Sequence, residues 1–184
     1  DDNYQDNISH KKGRFEYGAG LYLTDSYDVV QKYIKGNRKL YLITVEKGNE
    51  IGDCELPVEK ILKFIDRYVI KNKKSLLMER LSRFLDNGES EIKADIFNNM
   101  ILNTASIKPS DTENLRSFLI ENGVDYELTS NIGGWGGQMM ILYNMDKIVN
   151  VIKRTPKDEI ESYDIKNNYI KESLNNDKYL TVYH

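Results

Sequence analysis

The chain has 184 residues, enough for one domain with a real core and too few for two ordinary ones. A 40% hydrophobic content, 30% charged residues and a mean hydropathy of -0.59 describe a soluble globular protein, and no window approaches the ~20 apolar residues of a membrane span. A net charge of -3 and a pI near 5.5 offer no basic face to a phosphate backbone, which disfavours tight non-specific nucleic-acid binding.

The start at Asp1 carries no charged-then-apolar leader and reads as a processed or engineered boundary rather than a targeting signal. The first strong feature is Gly18-Ala-Gly-Leu-Tyr22-Leu-Thr-Asp-Ser26, with a second tyrosine, Tyr33, eleven positions after Tyr22. Two glycines let the backbone turn sharply and approach a ligand closely. Leu21-Tyr22-Leu23 reads as a short strand, and Asp25 or Ser26 is placed to cap a helix Tyr27–Ile34 carrying Tyr33. A strand-borne and a helix-borne tyrosine would then face each other across a slot one flat ring wide. Lys39–Val45 reads as a core strand stopped by Gly48.

Cys54 is the sole cysteine, so no internal disulfide forms and a cytosolic folding environment is expected. It has no nearby histidine to activate it and reads as packed and inert. From Pro57 to about Ser106 apolar residues recur at three and four, among them Ile61, Leu62, Ile65, Leu76, Leu77, Leu81, Ile96, Phe97 and Ile101, which predicts about three helices. The Lys71-Asn-Lys-Lys74 run reads as a solvated turn between helices. Ser110-Asp-Thr-Glu113 has the form of a capping box opening a helix Glu113–Glu121, which Asn122-Gly123 ends. Val124–Ser130 and Gln138–Tyr143 read as strands joined by the glycine-rich Asn131–Gly137, and Ile148–Lys153 as another. Thr155–Asp177 reads as a polar linker before a last strand, Tyr179–His184. Two histidines and one cysteine form no metal-ligand spacing, and Gly18 and Gly20 lack the third glycine of a Rossmann turn.

Phe15–Ser26, Leu40–Val45, Asn122-Gly-Val-Asp-Tyr126 and Gln138–Tyr143 running into Asn144–Ile148 together resemble, in order and spacing, ADP-ribosyltransferases of the diphtheria toxin and poly(ADP-ribose) polymerase branch. The resemblance covers residues 13–50 and 114–150. It implies a single α+β domain, 1–184, built on a split mixed β-sheet that binds NAD, with 57–106 as a helical insertion. That branch carries a His-Tyr-Glu signature whose histidine ends the opening strand. Nothing of that pattern occurs in the first twenty residues, where His10 lies in a polar loop. Tyr179-Leu-Thr-Val-Tyr-His184 resembles the missing strand, so the resemblance implies a circular permutation with 155–177 joining the old ends. Removal of 179–184 is then expected to abolish NAD binding and leave the domain largely folded.

The resemblance also implies roles. His184 would bond the adenosine ribose, Tyr22 and Tyr33 would stack on the nicotinamide, and the backbone around Gly20, with Ser26, would complete the cofactor site. Where the family has its catalytic glutamate, this chain has Gln138-Met139, with Gln138 the better candidate because a thioether neither bonds the ribose nor carries charge. Loss of that charge commonly costs ~100- to 1,000-fold in rate. Glu127, on the neighbouring strand, is the remaining carboxylate and ranks last. Trp135, in the loop before Gln138, is the candidate for acceptor recognition. The implied activity is transfer of ADP-ribose from NAD to a protein or nucleic-acid acceptor. The implied setting is a bacterial or phage-related toxin or effector, acting in the cytoplasm or delivered into a target cell's, with an antitoxin or immunity protein as partner and no membrane. A catalytically silent NAD or ADP-ribose binder is the alternative, argued from Gln138. A helical interaction domain in which 57–122 does the work is a third. Against all three stands the plain reading of Tyr22 and Tyr33 as core packing in a chain with 13 tyrosines.

Overall fold

A computed structural model describes residues 18–26, 29–30, 40–130, 138–154 and 178–184. The chain divides into two compact units, one of Asp1–Gly20 with Asn49–Asp125 and the other of Leu21–Gly48 with Tyr126–His184. The expected insertion at 57–106 is therefore the middle of a larger unit.

Among the described residues of the unit containing Asn49–Asp125, four α-helices accompany a two-stranded antiparallel sheet. The helices are α1 (Val58–Tyr68), α2 (Lys71–Leu85), α3 (Ala94–Asn103) and α4 (Thr112–Glu121). The three-and-four spacing yields the expected three helices within 57–106. Ile61, Phe64 and Ile65 of α1 and Phe97 and Ile101 of α3 are buried by it. Leu62, Leu76 and Ile96, counted in the same pattern, lie on exposed sides. Phe64, Phe97 and Phe118 form an aromatic triangle with centroids 4.9 to 5.8 Å apart.

α4 ends as expected. Asn122 closes it and Gly123 takes a left-handed φ of 87°. The Gly123 N–H then donates to the Ile120 carbonyl and the Val124 N–H to that of Leu119, the bond pattern of a Schellman motif. Its start differs from expectation: the N-cap residue Asp111 makes no side-chain capping bond, the Thr112 hydroxyl donates to the Pro109 carbonyl, and Glu113 pairs with Arg116 instead of closing a box. The Lys71–Lys74 run is also not a turn but the first turn of α2, where Lys74 bonds the Asp66 carboxylate at 2.9 Å. Two three-residue strands escaped the pattern, β3 (Glu55–Pro57) and β4 (Glu91–Lys93), which pair antiparallel.

Among its described residues the other unit has six strands: β1 (Leu21–Thr24), β2 (Leu40–Glu46), β5 (Tyr126–Ser130), β6 (Gln138–Leu142), β7 (Ile148–Arg154) and β8 (Tyr179–Tyr183). They form one sheet in the order β5-β6-β1-β8-β2-β7. The protein is α+β, but the sheet expected to be mixed is antiparallel at every described pairing. β8 lies between β1 and β2, strands that are neighbours in sequence. It pairs with β2 over five positions and with β1 through one, Thr24 opposite Tyr183.

Candidate functional site: the β6-β1-β8 strands

Antiparallel partners point to the same face of a sheet, and successive residues point to opposite faces. The register therefore sorts the site's side chains. Leu21 and Leu23, each 1% exposed, lie on one face with Met140 and Leu142, opposite them on β6. Tyr22 and Thr24 lie on the other with Ile141 and Met139.

The end of β1 is tied to the start of β6 through the backbone of Gln138. The Gln138 N–H donates to the Asp25 carboxylate at 2.7 Å, and its carbonyl accepts from the Thr24 hydroxyl at 3.1 Å and the Asp25 N–H at 3.3 Å. Of the two capping candidates, Ser26 therefore takes the role: its hydroxyl accepts from the Val29 N–H at 3.4 Å and its carbonyl from the Val30 N–H at 3.2 Å. Asp25 is left to anchor β6. Residues 29–30 are helical, and Val30 packs in a buried cluster with Leu40, Leu42 and Tyr183.

His184 continues β8 by exchanging both backbone hydrogen bonds with Tyr41, at 2.9 and 3.0 Å. Its ring lies 6.4 Å from that of Tyr41, and its Nδ1 is 3.1 Å from the Tyr22 carbonyl oxygen. A carbonyl only accepts, so Nδ1 is the donor in this contact. The side chain thus bridges from β8 to β1 where the ladder between them is thin.

Three of the expected residues, far apart in sequence, thereby stand on three consecutive strands. Two strand spacings and two residues separate Gln138 from His184, roughly 12 Å. Their side chains do not share a face. His184, paired with Tyr41, falls with Leu23, and Gln138, two residues before Met140, falls there too. Tyr22 points the other way. The sequence shows alternation within each strand but not the register between strands, and register decides which alternating sets meet.

On the face of Tyr22, the residue at the start of β6 is Met139, and the carboxylate is that of Glu127. Glu127 sits opposite Ile141, which also pairs with Tyr22, so the three form one row across β5, β6 and β1. Glu127 is 8% exposed and accepts a 2.6 Å hydrogen bond from the Tyr143 hydroxyl. The signal that would have raised its rank is its parity with Tyr22, readable only once both pairings are known. Gly20 is buried in the bend before β1, and Gly18 takes a left-handed φ of 88°, where glycine alone is unstrained. Tyr33 and Trp135, and the 155–177 linker, lie outside the described residues.

Cys54, in the other unit, is half-buried with its Sγ 3.3 Å from the Glu50 carbonyl. Burial, then the carboxylates of Asp125, Glu50 and Asp53, push its thiol above the ordinary value, against a smaller pull from Lys93. It is a poor nucleophile. Among the described residues no helix is long and apolar enough to cross a membrane. No protein-family model, curated protein or solved structure matches the chain.

Proposed function

We propose that the chain transfers ADP-ribose from NAD to a macromolecular acceptor, releasing nicotinamide, on a circularly permuted ADP-ribosyltransferase fold. The observation that carries this reading is the insertion of β8 between β1 and β2, which brings His184 to the strand of Tyr22, with the start of β6 on the far side of β1. This central position of β8 supports the reading of Tyr179–His184 as a displaced opening strand.

The residues present fit a dinucleotide only in part, because the side chains of Tyr22 and His184 point to opposite faces of the sheet. His184 is held against β1 by the bond between its Nδ1 and the Tyr22 carbonyl, which supports a positioning role for the ring. Tyr22 is half-buried and offers a ring face for the nicotinamide, and the fixed backbone of Gln138 holds the start of β6 in place. NAD supplies an activated ribose whose leaving group departs as neutral nicotinamide; the chain's task is to orient it and exclude water. As a toxin or effector it would meet its acceptor in a cytoplasm and be restrained by an antitoxin or immunity protein.

A second reading, a silent NAD or ADP-ribose binder, is favoured by one finding: neither Gln138 nor Met139 carries charge, and they face opposite sides of the sheet. Nicotinamide release by the wild-type chain, given a cell lysate as acceptor, separates the two. Turnover supports the transferase, binding without turnover the silent module, and absence of NAD binding removes both.

A further inference from the structure

Charge is segregated along this chain. α1, α2 and the two residues that join them, 58–85, hold eight basic and three acidic residues, a net charge of +5. The whole chain is at -3, which leaves -8 for everything outside those helices. The total that argues against a basic face thus conceals one. Lys63, Arg67, Lys71, Arg80 and Arg83 are exposed, and among the described residues none of them pairs with a carboxylate. Lys74 does: its ammonium bonds the Asp66 carboxylate at 2.9 Å and the Asp66 carbonyl at 2.6 Å, pinning the start of α2 to the end of α1. Elsewhere in the same unit opposite charges meet, as in Glu55 with Lys93 and Glu113 with Arg116.

On a helix, residues three or four apart are surface neighbours. That spacing sets Lys60 beside Lys63, Lys63 beside Arg67, and Arg80 beside Arg83. Each such pair repels and weakens its helix, and an anionic partner laid along it replaces the repulsion by attraction. The kind of anion follows from what accompanies the cations. A lipid surface needs an apolar face to enter, but Leu76 and Met78, each 37% exposed, stand two residues apart and therefore on different sides of α2. A protein interface needs an apolar or aromatic centre, and only Leu76 lies on the side of Arg80 and Arg83. A phosphate backbone needs the cations alone.

We propose that the exposed basic surface of α1 and α2 binds the phosphate backbone of nucleic acid without reading its sequence. Lysine and arginine heads on that surface contact phosphate oxygens and release the counterions condensed there, so affinity falls steeply with salt. This holds independently of what the sheet does with NAD.

The test follows the anisotropy of fluorescent DNA duplexes of two unrelated sequences, titrated with the full wild-type chain and with K63E/R83E over a range of salt concentrations. Wild type is expected to bind both duplexes alike, with a Kd between about 1 and 100 μM at physiological salt. K63E/R83E should weaken both equally, by about 10-fold or more, and lower the slope of log affinity against log salt by about two. Because the two substitutions turn repelling neighbours into attracting ones, its unfolding temperature should equal or exceed that of wild type. Absence of binding by wild type, or equal binding by the folded variant, overturns the proposal. So does binding to phosphatidylserine vesicles in preference to DNA. Should K63E/R83E fold poorly, K63Q/R83Q removes the same two cations; a lowered salt slope is then the expected result and an unchanged slope the contrary one.

Discussion

Asp125 and Asn49 show how single residues hold positions distant in sequence. The Asp125 carboxylate accepts from the Asn49 N–H at 2.8 Å, the Asp125 N–H returns a bond to the Asn49 carbonyl at 3.0 Å, and Asn49 Nδ2 donates to the Gly123 carbonyl at 2.9 Å. Asp125 is 7% exposed, so D125A removes a bond that water replaces poorly. We expect D125A to cost about 1–3 kcal/mol, read as a lower denaturant midpoint at constant slope; an unchanged midpoint would remove the clasp. The same carboxylate acts on Cys54. Because the thiol is raised by burial and three carboxylates, it stays protonated at pH 7 to 8, and iodoacetamide should modify it more slowly than a free cysteine. Labelling as fast as the free thiol would contradict this. The sequence showed its inertness through the lack of a nearby histidine; two of the carboxylates, Glu50 and Asp53, are its sequence neighbours. Asp125 arrives only through the fold.

Among elements, β8 matters most. The apolar and β-branched character of Tyr179–Tyr183 made it readable as a strand, and its Tyr-His ending suggested where it belongs. Nothing local states how many neighbours it pairs with. The structure gives it β2 on one side and β1 on the other, so the cut would separate β5-β6-β1 from β2-β7, which argues against the expectation that the domain survives loss of 179–184. We predict that this truncation lowers the unfolding temperature sharply or prevents folding. H184A is the informative change, because the exchange with the Tyr41 backbone remains while the ring and its Nδ1 bond are lost. Its stability cost should be near ~1 kcal/mol, and its NAD affinity should fall; calorimetry showing wild-type affinity would detach His184 from the site. β3 and β4 escaped the sequence reading because three residues carry no resolvable period, and the first turn of α2 because four polar residues at a helix start resemble a turn.

For the whole molecule, the chain crosses between its two units at Gly20–Leu21, Gly48–Asn49 and Asp125–Tyr126. Periodicity located nearly every long element on either side of those crossings. It could not show that residues 22, 127, 138 and 184 meet on four adjacent strands, nor that Tyr22 and Glu127 share a face from which Gln138 and His184 are turned away. Those are consequences of register between segments more than 100 residues apart, as with the Thr24–Gln138 bond at a separation of 114. The central claim is that this sheet binds NAD and cleaves it for transfer. The most direct measurement is nicotinamide release by the full wild-type chain incubated with NAD and cell lysate, with mass spectrometry of the acceptors. We predict free nicotinamide together with ADP-ribose covalently attached to a macromolecule. A folded chain that neither binds NAD nor releases nicotinamide would contradict the claim.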